Sequence, residues 1–169
     1  MKKSLLTLLS VWALALILLP ACSSSSDDEE MKEMEEEMMV QGCTNEKSDN
    51  YDPDATEDDG SCVLWRDKVL GTFVYTRECG PAFPAKTDDL IITTIMNTDD
   101  SIHVEYGFIL DYDGVMTSST EFIIPETPGA TQGETISATG SIENDVITLT
   151  YISKNQATQL ECSGTAPRK

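Results

Sequence analysis

Between Glu134 and Ser153 the chain alternates apolar and polar residues with a period of two. Ile136, Ala138, Gly140 and Ile142 share one face against Thr135, Ser137, Thr139 and Ser141, and then Ile147, Leu149 and Tyr151 lie opposite Thr148 and Thr150. That period belongs to a strand with one buried face, and a one-residue slip would turn the whole apolar set to water. The same texture of Thr, Ile, Val and Tyr in short runs extends over everything after Cys62. Strands are predicted at Val69 to Arg77, Leu90 to Asn97, Ile102 to Leu110, Val115 to Ile124, Glu134 to Ile142, Val146 to Ser153 and Ala157 to Gly164. Asp99-Asp100, Asp113-Gly114, Glu143-Asn144-Asp145 and Lys154-Asn155-Gln156 are short enough to be hairpin connections. An all-β fold follows: a small antiparallel meander curled into a barrel or half-barrel.

The first residues carry an address. Lys2 and Lys3 precede an apolar run from Leu5 to Leu19, and a small residue, Ala21, stands just before Cys22. A basic start, an apolar stretch too short for a comfortable bilayer span and a small residue at the break form a secretory signal. Leu19-Pro20-Ala21-Cys22 resembles the lipobox of bacterial lipoproteins. The resemblance implies that residues 1–21 are removed, that the Cys22 thiol receives a diacylglycerol and that the new amine is acylated. The remaining 148 residues suit one domain with appendages.

Without Lys2 and Lys3 the mature chain carries 9 basic and 30 acidic residues, a net charge of −21. Such a chain lacks the cationic surface that neutralises phosphates, so nucleic acid is excluded as a partner. Adsorption to anionic lipid is disfavoured for the same reason. The expected membrane partner is therefore met through acyl chains, each buried methylene contributing about 0.8 kcal/mol.

From Ser23 to Gly42 the sequence holds eight carboxylates, one lysine and no aromatic residue, the composition of a disordered tether. Serines followed by acidic residues directly after the lipid cysteine resemble the export signal of surface lipoproteins of the Bacteroidota type. That implies display on the outer face of the outer membrane, with a spacer on a periplasm-facing lipoprotein as the alternative. Met31, Met34 and Met38 fall at helical spacing with Met39 beside them. Thioethers suit copper(I), but a weakly amphipathic stretch among glutamates is the preferred reading.

Cys43, Cys62, Cys79 and Cys162 remain after processing. An even set in an exported chain reads as disulfides with three possible pairings. Cys43–Cys62 and Cys79–Cys162 are favoured here. The second would join the first strand to the last and so suppress the open sheet edges that invite aggregation.

Residues 42–62 read GCTNEKSDNYDPDATEDDGSC. The segment closely resembles a short cysteine-bounded unit of secreted and surface proteins, matching it at Gly42, Cys43, Asn50, Tyr51, Asp52, Pro53, Ala55, Thr56, Asp58, Asp59, Gly60, Ser61 and Cys62. It is too small and polar for a core, so a staple is needed. Asn50, Asp52, Asp54, Asp58 and Asp59 crowd hard oxygen ligands into one loop, which is what Ca²⁺ takes. The spacing departs from the EF-hand: with Asp52 first, Glu57 stands at the glycine position and Val63 at the closing glutamate. The alternative is a hydrated, metal-free acidic loop. No other cofactor is expected.

Leu64 to Phe73, Glu78-Cys79, Gly140-Ser141-Ile142, Ile147 to Tyr151 and Glu161-Cys162 look like lipocalin-like domains of small surface lipoproteins. Gly71-x-Phe73 stands where lipocalins place Gly-x-Trp, and the resemblance implies that Leu64 to Val69 forms a helical turn closing the barrel floor. The expected organisation is thus a signal peptide (1–21), an acylated tether (22–42), a disulfide-closed acidic loop (43–62) and a lipocalin-like β-domain (63–169).

Catalytic chemistry is not evident. His103 is the single histidine, alternating with Ile102 and Val104 on a face shared with Glu105, and is expected to point at solvent. Asp111 and Asp113 are read as bracketing a turn, and no serine sits in a nucleophile elbow. The chain is expected not to be an enzyme. Two functions remain: binding a small apolar ligand or glycan inside the barrel, or contacting an envelope protein with a filled barrel. Gly71, Ala138, Gly140 and Gly164 leave room for a cavity; Phe73, Tyr75, Phe108, Phe122 and Tyr151 have the bulk to fill it.

Overall fold

The structure, a computed structural model, describes residues 39–169. The signal segment, Cys22, Met31, Met34, Met38 and the tether up to residue 38 lie outside the described residues. Two short strands, β1 (Gln41–Gly42) and β2 (Glu57–Asp58), pair in parallel, and a 3₁₀ turn covers Trp65–Lys68. The remaining strands are β3 (Gly71–Glu78), β4 (Lys86–Thr94), β5 (Ser101–Tyr106), β6 (Leu110–Met116), β7 (Glu121–Pro128), β8 (Thr135–Glu143), β9 (Val146–Lys154) and β10 (Gln159–Pro167). Each pairs antiparallel with the next, and β10 returns to β3, closing an eight-stranded barrel.

The fold class is as expected, closed rather than half-open, but the strand count is eight, not seven. The turn expected at Asp113-Gly114 is strand. The reversal instead falls at Gly107-Phe108-Ile109, where Gly107 takes a φ of 55° and the Ile109 N–H donates to the Tyr106 carbonyl at 3.0 Å. Gly114 is small for a different reason: a Cβ there would stand 2.8 Å from the Ile123 carbonyl of β7. The segment Val115 to Ile124, expected as one strand, breaks at Thr117–Thr120, where the Thr117 N–H donates to Glu121. The β8–β9 connection is the hairpin predicted: Asn144 and Asp145 take φ of 50° and 62°, both positive as a two-residue type I′ turn requires.

Alternation sorts the side chains. Phe73, Tyr75, Leu90, Ile92, Ile102, Val104, Tyr106, Leu110, Met116, Phe122, Ile124, Leu149 and Tyr151 point inward with at most 1% of their surface exposed. An internal void wide enough for water would expose some of that surface, so side chains fill the barrel, as its strand number permits. The small residues are filled by the large ones. Gly140 pairs with Phe122 across β7 and β8, and the Phe122 ring lies where a Gly140 Cβ would be, 2.1 Å from its Cζ. At Gly164 the Tyr75 ring and the Thr76 carbonyl take the space. The expected ligand calyx is therefore absent, and Phe108, counted among its fillers, is instead fully exposed on the 107–109 turn.

The outer face carries Thr87, Asp89, His103, Glu105, Asp111, Asp113, Thr139, Thr148 and Glu161. Apolar inside and mainly polar outside, with Ile91, Ile123 and Ile152 scattered among the polar residues, is the reverse of a lipid-facing barrel, whose exterior band is apolar. Among the described residues no helix is long and apolar enough to cross a membrane.

Two devices close the ring. Cys79 and Cys162 form a disulfide with a sequence separation of 83, at the end of a β3–β10 seam that holds only the pairs Ser163↔Glu78, Gly164↔Arg77 and Thr165↔Thr76. At the opposite end Arg168 lies over the Phe73 ring, 4.6 Å from its centroid, and donates to the Leu70 and Lys68 carbonyls at 2.5 and 2.7 Å and to Asp145 at 2.8 Å. Gly71, at φ 132°, makes room: a Cβ there would stand 2.7 Å from an Arg168 guanidinium nitrogen. The 3₁₀ turn floors this end, with Val69 fully buried behind it.

Cys43 and Cys62 also pair, as expected. Their loop begins earlier than residue 43. The Val40 carbonyl accepts from Thr56 at 2.8 Å, and the Val40 N–H donates to the Thr56 hydroxyl at 3.0 Å. It packs on the floored end of the barrel, where Lys68 pairs with Asp49 at 2.5 Å, Asn45 donates to Asp99 at 2.8 Å and Lys47 lies over Trp65.

Replacing both Cys79 and Cys162 by serine is expected to lower unfolding stability by about 2–5 kcal/mol, read from urea titration. The same change at Cys43 and Cys62 is expected to leave the barrel's transition midpoint nearly in place, because that bond closes a loop outside the ring of strands.

Candidate functional site: the far end of the barrel

The end opposite the 3₁₀ turn is formed by residues 79–85, 107–109, 129–134 and 155–158. Three inward tyrosines stand beneath it. Tyr75 and Tyr106 meet edge to face at 4.9 Å, and every phenol has a polar partner: Tyr75 donates to the Leu149 carbonyl at 3.0 Å and Tyr106 to the Lys86 carbonyl at 3.3 Å, while Tyr151 accepts from Arg77 at 2.8 Å. Burial, reinforced by the neighbouring tyrosines, pushes the Tyr75 hydroxyl far above its ordinary value, so it stays a neutral donor.

Arg77 continues the inward series Phe73, Tyr75 at the top of β3. Its Nη1 is held by Tyr151, while its Nε is buried and without a hydrogen-bond acceptor. No carboxylate pairs with it among the described residues. It lines an open cleft of about 220 Å³ together with Phe108, Ile109, Tyr112, Ile136 and Leu160. That volume is below the roughly 300–1,000 Å³ of small-molecule sites. Glu134 at the rim is already engaged: it accepts from Ser153 at 2.6 Å and from the Thr131 hydroxyl at 2.7 Å, and these bonds, the Ser153 one foremost, hold its carboxyl below the ordinary range. Phe83 and Phe108 stand exposed on the same end.

The five residues expected to bind Ca²⁺ are not brought together. Among the described residues no group of three or more His, Cys, Asp and Glu side chains is placed to hold a metal ion. The oxygens serve the backbone: Asp52 accepts from Asp54 at 3.0 Å, Asp58 from Gly60 at 3.1 Å and Asp59 from Ser61 at 2.9 Å, while Asn50 bridges Ser61 and Val63 at 2.8 Å each. The three aspartate bonds are Asx turns, which organise an irregular loop, and Asn50 ties the loop's two ends together. The bonds from Ser61 also hold the Asp59 carboxyl below its usual value.

His103 does face outward, but not alone. Because residues 111 and 113 are strand rather than turn, the β5–β6 register sets Asp113 directly opposite. One ring nitrogen lies 2.7 Å from Asp113 and the other 3.0 Å from Asp111 and 3.5 Å from Glu105. The bond to Asp113 raises its pKa most, against partial desolvation, with all three carboxylates adding. Arg77 and Arg168 were not singled out from sequence. The alternation Phe73, Tyr75, Arg77 was the available signal for the first; the second, next to the C-terminus, gave none.

No family model matches the chain, and no curated protein matches it. One solved structure is similar, a "putative outer membrane protein" of Bacteroides fragilis NCTC 9343, at 17% identity and a TM-score of 0.39, covering 62% of this chain and 52% of that one. The chain thus spans about half the length of that protein. At that level the likeness decides nothing about this chain, whose fold and site rest on its own residues.

Two outcomes are expected. Millimolar Ca²⁺ leaves the melting temperature of the mature chain unchanged, since one oxygen each of Asp52, Asp58 and Asp59 is engaged with the loop's backbone and the carboxylates do not converge on one point. A raised folded pKa for His103 means its stabilising contribution is complete below the ordinary value of 6.5 and is lost as pH rises through the raised value. Asp113→Asn should lower the imidazole titration midpoint seen by NMR and flatten that part of the stability profile.

Proposed function

We propose that this chain is a lipid-anchored protein of the outer envelope that works by contacting another protein through the far end of a filled barrel, without catalysis. The observation that carries the reading is the packed interior: a domain whose inward side chains touch no solvent cannot hold a ligand there. Cys22 and the signal before it supply the anchor. The charged outer strands keep the barrel out of the lipid. Phe83 and Phe108 give the far end the aromatic residues that enrich protein interfaces.

The chain enters the described unit through the acidic loop, which packs on the floored end. Surface display rests on the serine-rich and acidic start of the tether, and the acidic loop acts as a spacer organised by its own hydrogen bonds.

Native mass spectrometry of the Cys22→Ser mature chain purified from its host should give the bare polypeptide mass, and an environment-sensitive apolar dye should not bind. Phe122→Ala, which opens a void beside Gly140 at a cost of about 3–5 kcal/mol, should acquire dye binding. A co-purifying small molecule, or dye binding by the unmutated barrel, would overturn the filled-barrel reading. Palmitate incorporated by the full chain and lost in Cys22→Ser is the expected sign of the anchor.

A further inference from the structure

We infer that the cleft around Arg77 captures the free C-terminal carboxylate of a partner polypeptide that ends in an apolar residue; this rests on the reading that the far end contacts a protein. The argument begins with the guanidinium. Nη1 is held by the Tyr151 hydroxyl at 2.8 Å and Nε is buried, so Nη2 is the nitrogen left to donate to a ligand in the cleft that Arg77 lines. A carboxylate is the acceptor with which a guanidinium N–H forms its strongest, charge-assisted hydrogen bonds.

The lack of a partner is notable here. The mature chain holds 30 acidic residues against 9 basic ones. Among the described residues Arg66, Lys68, Lys86, Lys154, Arg168 and Lys169 each have a carboxylate within salt-bridge distance, while Arg77 and Lys47, which lies over Trp65, have none. Glu134, the acidic residue that lines the same cleft, is turned to Ser153 and Thr131 instead. The strongly acidic surroundings disfavour a ligand carrying several negative charges and tolerate one.

Beside Arg77 the cleft has an apolar wall of Phe108, Ile109, Tyr112, Ile136 and Leu160 and a polar one of Glu134, Tyr151 and Ser153. Its occupant must place a carboxylate and an apolar group close together within about 220 Å³. A C-terminal residue carries both on one Cα. An internal segment would instead have to enter and leave between the surrounding loops. Capture of a chain terminus by oriented N–H donors is an established mode of peptide recognition.

The test uses fluorescence polarisation with the Cys22→Ser mature chain and three labelled pentapeptides: one ending in Leu with a free carboxylate, the same peptide amidated, and an amidated peptide with one internal Glu. The free acid should bind, and amidation should weaken it at least tenfold. Arg77→Gln should remove the difference between acid and amide, while Arg77→Lys retains part of it. Leu160→Ser should weaken the Leu-terminated acid more than a Gly-terminated one, a readout that survives if Arg77→Gln fails to fold. Equal binding of acid and amide, stronger binding of the internal-Glu peptide, or no binding at millimolar peptide would overturn the inference. Any of these with a bare polypeptide mass and no dye binding sinks the carboxylate site alone; a ligand-filled barrel sinks the function on which it rests.

Discussion

Eight strands closed on themselves leave an interior only as wide as the side chains that line it, and every other property of this domain follows from how that space is filled. Phe122 over Gly140 is the clearest case. Glycine in a strand interior is unfavourable by itself, yet here it admits an aromatic ring from the neighbouring strand and is covered by it. Tyr75 stands to Gly164 in the same relation, so the aromatic and small positions are one solution read from two sides.

A barrel must also be kept shut, and the closing seam is short. Only three register pairs join β3 to β10, against nine between β9 and β10. The two supports act at opposite ends. Cys79–Cys162 fixes the far end covalently, while Arg168 ties the last residues of the chain to Phe73, to the carbonyls before β3 and to the Asp145 turn. Neither depends on the acidic loop, which attaches to the floor through Lys68–Asp49, Asn45–Asp99 and the stacking of Lys47 on Trp65.

The fold was largely legible because period-two alternation is a local property. Ile136 to Ile142 and Ile147 to Tyr151 sit as read, down to the turn between them. The misreadings came where the local signal had two causes. Asp113-Gly114 looks like a turn, but glycine there answers to the approach of the Ile123 carbonyl, a contact between strands that no neighbouring residue announces. The acidic loop has the same double signal: carboxylates suited to Ca²⁺ are equally suited to Asx turns, and Asp52, Asp58 and Asp59 make such turns here. The pairing of the cysteines was readable because a bond between first and last strand is what a closing meander needs. Arg77 continues the alternation of Phe73 and Tyr75, which signals its inward position, but its setting depends on the Tyr151 hydroxyl, 74 residues away in sequence.

The parallel pairing of β1 with β2, stapled by Cys43 and Cys62, has a mechanical meaning. A pull on Gly42 would cross the sulfur bridge directly to Val63 and the barrel floor, so residues 44–61 would carry none of it and could not unravel under it.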